Sequence, residues 1–335
     1  MINVLYIGNN LKNKRSNISG VQTLGVLLEG DGFTVYYASS IPNKILRLLD
    51  MLWCVFKLQH KVDYVLIDTY STQNFYYALL VSQCCRLFKI PYVPILHGGN
   101  LSARLENNPK LSAAIFKNAH QNVSPSLFLK EIFQNYGYDT IHISNAIEIQ
   151  NYPLTCKTFD APKLLWVRSF SKIYNPKLAI RVFSILKKTY PNATLCMVGP
   201  DSDGTLRKVS DLALELNLNV KFTGKLSKSE WIALSKQYNI FINTTNVDNT
   251  PVSVIEAMAL GFPIVSTNVG GIPFLISHND DGVLVSPNDI DAMVNAIIKI
   301  QLDQNLRTNL MTNARLKSEH FTWSAIKPLW KSLLS

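Results

Sequence analysis

Short apolar runs alternate with amphipathic helical stretches along the chain, and this alternation constrains the fold more than any other feature. The strand-like runs of the first half occupy residues 4–8, 34–38, 64–68, 92–97, 121–124 and 140–144. After Asn145 the alternation lapses, and it restarts with runs at 163–168, 194–199, 220–224, 240–243, 264–267 and 282–285. Strands that alternate with helices form parallel sheets with helices on both faces. The sequence therefore predicts an α/β protein with two doubly wound, Rossmann-like domains.

The lapse in this pattern gives the domain boundaries. We predict an N-terminal domain at 1–150, a linker at 151–162, a C-terminal domain at 163–320 and a closing helix at 321–335. Ligands of doubly wound sheets bind outside the carboxyl ends of the strands. We therefore expect the active site in a cleft where the two sheets face each other.

Composition narrows the class of protein. With 47% hydrophobic and 17% charged residues among 335, the chain has the composition of an ordinary globular protein. We expect no signal peptide, and no stretch reaches the roughly 18 apolar residues of a membrane span. The five cysteines are odd in number and lack a CxxC pair, which favours a reducing cytoplasm. The net charge of +10 is spread along the chain, so nucleic acid is not an expected partner.

One stretch joins a polar loop to a helix that ends at a glycine. Thr250 suits the N-cap, Pro251 the first helical position and Gly261 the C-terminal cap. The free N–H groups of Val252 and Ser253 then point outward at the positive end of the helix dipole. Because such helix N-termini bind anions, this one predicts a site for a diphosphate.

Two acids flank the start of this helix. Asp248 lies on the loop before it, and Glu256 lies about one and a half turns into it. Phosphates would repel a carboxylate, so Glu256 suits the neutral hydroxyls of a ribose. On spacing alone, the alternative of a solvated loop acid and a surface helix residue stays open.

Asp248 and Glu256 are separated by seven residues and are followed by EAMA at 256–259, GFPIVST at 261–267 and VGG at 269–271. This stretch resembles the donor-binding signature of the family 4 retaining glycosyltransferases. The resemblance implies a GT-B fold, in which two Rossmann-like domains face each other and the closing helix can cross back to the first. It implies a UDP- or GDP-linked sugar as co-substrate, with Asp248 beside the sugar and Glu256 on the ribose. The family usually has Glu at the first position, so the contact made by the shorter Asp248 is open.

The resemblance extends to an earlier strand end of the second domain. Arg168 corresponds to an arginine that the family presents to the donor diphosphate. A lysine of the family falls on Tyr174, beside Asn175, and Lys172 is the alternative source of that charge. The resemblance therefore assigns donor binding to this segment but leaves the replacement of the lysine open.

Two further turns of the second domain resemble turns that lie near the nucleotide in this family. They contain Gly199 and Gly224, and glycine permits close approach of the backbone there. Beside the first turn, Asp201 and Asp203 imitate a metal-binding pair, but no further acid or His is near in sequence. We therefore expect no metal.

In the first domain, Gly20 closes the loop that follows the first strand, and the resemblance implies that this loop approaches the donor phosphates or the acceptor. His97 ends a later strand and is followed by Gly98 and Gly99. A His at this place in the family contacts the donor sugar, although a lone His is more often structural. The loop before Gly20 also carries basic residues that fit either solvent or a phosphorylated acceptor: Lys12, Lys14 and Arg15.

A helix at 44–61 mixes apolar residues with basic ones. The basic residues are Lys44, Arg47, Lys57 and Lys61. One interpretation is that this helix lies on an anionic membrane that presents a lipid-linked acceptor. The other is that it packs on the sheet and extends its lysines into solvent. The sequence leaves both interpretations open.

Together these features predict a metal-independent glycosyltransferase in the cytoplasm or at the inner face of the plasma membrane. It would move a sugar, with retention, onto a hydroxyl of a glycan or lipid-linked acceptor in bacterial surface polysaccharide or glycoconjugate synthesis. The resemblance assigns the catalytic roles to Asp248, His97 and Arg168. Two alternatives remain: an epimerase of the same fold that acts on a nucleotide-linked hexosamine, and a non-enzymatic GT-B binding or scaffold protein.

Overall fold

The computed structural model describes residues 2–11, 20–98 and 100–335. It forms two compact units, the first made of Met1–Ala146 with Trp323–Ser335 and the second of Ile147–Thr322. Residues 151–162, predicted as a linker, belong to the second unit, where Tyr152 and Ala161 are buried. The predicted closing helix belongs to the first unit from Trp323 onward.

The first unit contains a six-stranded sheet in which all pairs are parallel. Its strands are β1 (Asn3–Ile7), β2 (Thr34–Ala38), β3 (Tyr64–Thr69), β4 (Tyr92–Leu96), β5 (Asn122–Ser124) and β6 (Thr140–His142). They lie in the order β2-β1-β3-β4-β5-β6. Its first helices are α1 (Gly20–Gly30), α2 (Lys44–Leu58), α3 (Asn74–Leu87), α4 (Leu101–Asn107), α5 (Pro109–Phe116) and α6 (Leu127–Asn135).

Both faces of this sheet are buried, as expected for strands connected by helices. Val4 and Tyr6 of β1 contribute to one apolar layer, and Leu5 and Ile7 contribute to the other. Successive side chains of a strand point to opposite faces, so a continuous apolar strand can fill both layers. The closing helix packs Trp330 into the layer that contains Val4.

Helix α2 is capped by Asn43, whose side chain accepts hydrogen bonds from the N–H groups of Ile45 and Leu46. Arg47, predicted on the basic face of this helix, is instead buried. Its guanidinium donates to the carbonyl oxygens of Ile41 and Pro42 and to Asn9 Oδ1. These acceptors satisfy its donors, which explains how a charged side chain can lie inside.

The second unit repeats the architecture with a second six-stranded parallel sheet. Its strands are β7 (Lys163–Val167), β8 (Thr194–Val198), β9 (Lys221–Gly224), β10 (Ile240–Asn243), β11 (Ile264–Thr267) and β12 (Val283–Val285), in the order β12-β11-β10-β7-β8-β9. The helices are α7 (Pro176–Thr189), α8 (Thr205–Glu215), α9 (Lys228–Ser235), α10 (Val252–Ala259), α11 (Ile272–Leu275), α12 (Ile290–Leu302) and α13 (Gln304–Glu319). The closing helix of the first unit is α14 (Trp323–Leu333), and short 3-10 turns span Ile149–Asn151 and Lys172–Tyr174.

Each sheet has a point at which the strand order reverses, between β1 and β3 in the first unit and between β7 and β10 in the second. Loops diverge at the carboxyl ends of such strand pairs and leave a crevice for ligands. The α/β prediction with two doubly wound sheets is confirmed. In the described parts of the chain, no helix combines the length and apolar character needed to cross a bilayer.

Candidate functional site

In the second unit, Arg168 and Asp248 lie at the reversal point of the sheet. Arg168 directly follows β7, and Asp248 lies on the loop after β10. Their side chains form an ion pair and are only 14% and 13% exposed. We predicted separate ligand contacts for these two residues, whereas the structure pairs them with each other.

Tyr174 completes the surroundings of Arg168. The guanidinium carbon lies 4.6 Å from the centre of the Tyr174 ring, a distance typical of a cation–π contact. Burial lowers the pKa of Arg168 to about 10, while the nearby Tyr174 acts in the opposite direction. The paired Asp248 carboxylate also favours the charged guanidinium, so Arg168 is a cation at neutral pH.

Glycines fix the backbone around this ion pair. Gly199 has a φ of +151°, and a Cβ there would overlap the carbonyl oxygen of Arg168. Gly271 donates its N–H to the Asp248 carbonyl at 2.8 Å, and a Cβ on it would overlap the Asn249 carbonyl. The close approach predicted for Gly199 is therefore an approach to the protein's own backbone.

Helix α10, whose start is the predicted anion site, begins one residue later than expected. The helix begins at Val252, and the residue at its N-cap is Pro251, not Thr250. The extended ψ of 113° keeps Pro251 outside the helix, while its carbonyl accepts hydrogen bonds from Val254 and Ile255.

Several hydrogen-bond donors at the start of α10 have no partner among the residues that the structure describes and are available to a ligand. Within the described ranges, the N–H groups of Val252 and Ser253 have no hydrogen-bond acceptor, and neither has the buried Ser253 Oγ. The helix dipole adds positive potential at the same place. The start of α10 can therefore hold an anion.

Glu256 lies further along α10 and is only 6% exposed, so it is not a surface residue. Its Oε1 accepts a hydrogen bond from the Tyr152 hydroxyl at 2.7 Å and lies 2.8 Å from Lys228 Nζ. Burial raises the pKa of Tyr152, and the Glu256 charge adds to this effect, so Tyr152 stays a hydrogen-bond donor. No described residue donates a hydrogen bond to Oε2, which leaves this oxygen to accept from a ligand hydroxyl.

The remaining predicted donor-site residues lie on neighbouring turns of the second unit. Lys172 is exposed, and its Nζ forms no hydrogen bond or ion pair with a described residue. Asn175 adopts a left-handed conformation and donates to Asn288 Oδ1 at 2.8 Å. Gly224 has a φ of +70°, and its carbonyl accepts the N–H of Gly199 at 2.9 Å. Tyr174, not Lys172, is the residue in contact with Arg168.

The Asp201–Asp203 turn uses its carboxylates to support local structure. Asp203 Oδ2 accepts hydrogen bonds from Ser171 Oγ and the Lys172 N–H. Asp201 Oδ1 accepts the N–H of Gly204 at 3.0 Å. In the portion of the chain that the structure describes, no three His, Cys, Asp or Glu side chains group as a metal site would require.

A second cluster of polar side chains lies at the reversal point of the first sheet. His97, which follows β4, places Nε2 2.9 Å from Oδ1 of Asp68 at the end of β3. The Tyr6 hydroxyl donates to the same oxygen at 3.0 Å, and the Tyr70 ring stacks on His97 with 4.9 Å between centroids. Asp68 Oδ2 is buried without a hydrogen-bond partner among the described residues.

Gly20 lies directly against this cluster. A Cβ there would come within 3.1 Å of Asp68 Oδ1 and 3.2 Å of His97 Nε2. Tyr6, Gly20 and His97 line a cavity of about 30 Å³, which has room for about two water molecules. The structure thus brings Gly20 and His97 together at one place in the first unit.

Other predicted residues of the first unit are less informative. Gly98 has a φ of +85°, which glycine adopts without strain. Gly99 and the basic residues Lys12, Lys14 and Arg15 lie outside the described residues.

Three candidate functional residues were not predicted from the sequence: Asp68, Tyr152 and Lys228. Asp68 had one visible signal, since it is an acid at the end of an otherwise apolar strand. Tyr152 and Lys228 had none, because their partner Glu256 is distant in sequence and neither belongs to a motif.

Comparisons with known proteins show which family part of the chain resembles. Residues 157–317 match the family model described as glycosyl transferases group 1. An uncharacterized glycosyltransferase from Haemophilus influenzae is 29% identical over 156 residues, which are 46% of this chain and 44% of that protein. The matches to the first three curated relatives cover less than half of those relatives, at 44%, 39% and 40% of their lengths.

One relative matches over more of its length. The UDP-Gal:alpha-D-GlcNAc-diphosphoundecaprenol alpha-1,3-galactosyltransferase of Escherichia coli is 22% identical over 321 residues, which are 86% of this chain and 79% of that protein.

Solved structures share the fold over nearly the whole chain. The sucrose-phosphate synthase from Thermosynechococcus elongatus superimposes with a TM-score of 0.83 and 19% identity, covering 99% of this chain and 98% of that one. Anabaena HepE in complex with UDP and glucose gives a TM-score of 0.78 and 17% identity, covering 100% of both chains. These likenesses establish the GT-B fold. In sequence, the part of the chain that resembles the glycosyl transferases group 1 is residues 157–317, just under half of its length.

Proposed function

We propose that this protein transfers a sugar from a nucleotide-sugar donor to a hydroxyl of a glycan or lipid-linked acceptor. The observation that carries the proposal is the start of α10, where the Val252 and Ser253 N–H groups and the buried Ser253 Oγ lack acceptors. A diphosphate supplies the negative oxygens that these donors need. Glu256, a turn further along the helix, offers Oε2 to the ribose hydroxyls.

Arg168 would stabilise the negative charge that develops on the departing diphosphate. Its pairing with Asp248 keeps the guanidinium in place and charged before a ligand arrives. A diphosphate would then compete with Asp248 for Arg168, and the released carboxylate would accept hydrogen bonds from sugar hydroxyls. Electrostatic stabilisation of a leaving group in a buried site contributes strongly to catalysis.

His97 would bind a sugar hydroxyl through Nδ1, which has no hydrogen-bond partner among the described residues. Asp68 holds the other ring nitrogen, so the ring orientation is fixed before binding. Fixed orientation lowers the entropic cost of reaching the transition state.

We further propose retention of the anomeric configuration, without a metal. The resemblance to the family 4 retaining enzymes supports this, since there the leaving diphosphate can take the proton of the acceptor hydroxyl. Arg168 and the hydrogen-bond donors at the start of α10 would offset the negative charge of the diphosphate, which a metal ion neutralises in other transferases.

Of the UDP- and GDP-linked sugars that the resemblance implies, we propose a UDP-linked sugar as the donor. The E. coli relative is named for UDP-Gal, and Anabaena HepE was solved with UDP. The name of the E. coli relative also describes an acceptor linked to diphosphoundecaprenol, which supports a lipid-linked glycan acceptor and a role in surface polysaccharide synthesis. Such reactions take place where nucleotide sugars are present, which supports a cytoplasmic location.

The test is a panel of UDP-, GDP- and ADP-sugars, followed by mass spectrometry and by NMR of the anomeric proton of the product. We expect hydrolysis or transfer with a UDP-sugar, unaffected by EDTA. Glu256→Gln should raise the donor KM about tenfold, which corresponds to about 1.4 kcal/mol. Glu215→Gln, on the exposed face of α8, is the matched control and should leave the KM unchanged.

Three outcomes would contradict the proposal. Isomerisation of the donor sugar with no acceptor present would indicate an epimerase. Intact cellular function in Arg168→Ala and Glu256→Ala variants would indicate a binding or scaffold protein. An inverted product would overturn retention alone.

A further inference from the structure

Helix α2 carries large apolar side chains on both of its sides. Met51 and Val55 are buried in the core of the first unit. On the opposite side, Ile45 is 72% exposed and Trp53 is 58% exposed. A helix that only covers a sheet has one apolar face, so the second apolar face needs its own explanation.

The exposed apolar side chains continue onto α3. The Phe56 ring lies 5.5 Å from Trp53 and 5.9 Å from Phe88, which directly follows α3. Leu87, beside Phe88, is 75% exposed. We call this region the α2–α3 surface and define it by Ile45, Leu46, Leu49, Trp53, Phe56 and Leu87.

Basic residues accompany the apolar ones. The exposed bases on or directly beside these two helices are Lys44, Lys57, Lys61, Arg86 and Lys89. None of them takes part in an ion pair within the described portion of the chain. The acid of α2, Asp50, is turned towards the thiol of Cys54, and α3 contains no acid. The surface is therefore apolar and positively charged.

We propose that the α2–α3 surface binds the anionic headgroup region of a lipid bilayer. Trp53 and Phe56 would lie at the boundary between headgroups and acyl chains, where aromatic side chains are favourable. The lysines would reach lipid phosphates, each contributing through the negative surface potential.

The charge pattern favours lipid over a second copy of the chain. A symmetric dimer through the α2–α3 surface would bring two sets of the same five cations together. Like charges across an interface disfavour association. This inference stands on the surface alone and does not depend on the proposed transferase activity.

The test uses the full chain with vesicles of phosphatidylcholine, with and without phosphatidylglycerol. We expect sedimentation with the anionic vesicles only, and weaker binding as salt is raised. Trp53 can report insertion, since it is the most exposed tryptophan and brominated lipids would quench it, whereas Trp166, Trp231 and Trp330 are buried and Trp323 is half-buried. A Trp53→Phe variant gives the quenching that is due to Trp323 alone.

Variants of the α2–α3 surface are compared with control variants that change equally exposed leucines elsewhere. Ile45→Ser with Leu87→Ser should weaken vesicle binding at least about tenfold. Leu214→Ser with Leu302→Ser removes side chains that are 73% and 72% exposed in the second unit, and it should bind like the unaltered protein. Lys57→Glu with Lys89→Glu should weaken binding and reduce its salt dependence.

The melting temperature and far-UV circular dichroism of each variant check that it remains folded. Absence of vesicle binding by the unaltered protein would overturn the proposal. So would equal losses in the test and control variants, or a dimer that the Ile45→Ser and Leu87→Ser variant disrupts while vesicles do not bind.

Discussion

Nε2 of His97 lies 2.9 Å from Oδ1 of Asp68, and the Tyr6 hydroxyl donates to the same carboxylate oxygen. An ionised carboxylate only accepts hydrogen bonds, so this contact places a proton on Nε2. In the neutral ring, Nδ1 is then the acceptor. Asp68 is thus a positioning residue that decides which nitrogen of His97 can receive a hydroxyl proton.

Asp68→Asn should change the tautomer of His97. The asparagine amide can donate to Nε2, which would move the proton to Nδ1 and convert it into a donor. We expect a change in the ¹⁵N shifts of the His97 ring and a loss of about tenfold in kcat, or about 1.4 kcal/mol.

Tyr6→Phe is the control, because it removes the other hydrogen bond to Asp68 Oδ1 but leaves the carboxylate beside His97. Its His97 shifts should stay close to those of the unaltered protein. If Asp68→Asn left both the tautomer and kcat unchanged, Asp68 would have no positioning role.

Arg168 and Asp248 should depend on each other for stability. Both side chains are mostly buried, so removal of one partner leaves an uncompensated charge inside. We expect Arg168→Ala and Asp248→Ala each to lower the free energy of unfolding by about 3 kcal/mol. The double variant should lose less than the sum of the two, since it leaves neither charge unpaired.

Urea unfolding of the four proteins measures this coupling. Additive losses would show that the two side chains do not interact in solution. Activity cannot replace this measurement, because each single variant also removes a residue of the proposed donor site.

The alternation of strands and helices made both sheets predictable, since continuous apolar runs such as β1 and β4 are typical of strands buried on two faces. The helix start at α10 was predictable to within one residue. Thr250 is the better cap by side-chain chemistry, but the extended backbone of Pro251 determines where the helix begins.

Partnerships across the sequence were not predictable. The family resemblance identified Arg168 and Asp248 separately, but a motif does not show that the two contact each other. Tyr152 and Glu256 are 104 residues apart, and Tyr6 and Asp68 are 62 apart. Such pairs form only when folding brings distant segments of the chain together, so a linear pattern does not contain them.

Gly199 and Gly271 should not tolerate even a methyl group. A Cβ at either position would overlap a backbone carbonyl oxygen, of Arg168 or of Asn249 respectively, and a backbone shift is the only relief. We expect Gly199→Ala and Gly271→Ala each to lower the melting temperature by several degrees, as a loss of about 1–3 kcal/mol does.

Gly30→Ala is the matched control. A Cβ at Gly30 meets no atom within 4 Å, and alanine is the better helix former at the end of α1. This variant should be neutral or slightly more stable. If all three alanine variants melted alike, the close backbone approaches at Gly199 and Gly271 would be refuted.

Lys157 should contribute to the pH dependence of the free energy of unfolding. Its Nζ is partly buried, 3.5 Å from the centre of the Phe262 ring, and this burial lowers its pKa from 10.5 to about 8. Between these values the unfolded chain binds the proton and the folded chain does not. Stability contributed by this group therefore rises with pH from about 8 towards 10.5 and is lowest below about 8.

Lys157→Met removes the titrating amine and keeps a chain of similar length against Phe262. We expect the difference in unfolding free energy between this variant and the unaltered protein to favour the variant most near pH 7. That difference should shrink as the pH rises through 8 to 10.5. Urea unfolding at several pH values measures it. A difference independent of pH would mean that the ring contact with Phe262 keeps the amine protonated throughout, because cation–π attraction opposes the effect of burial.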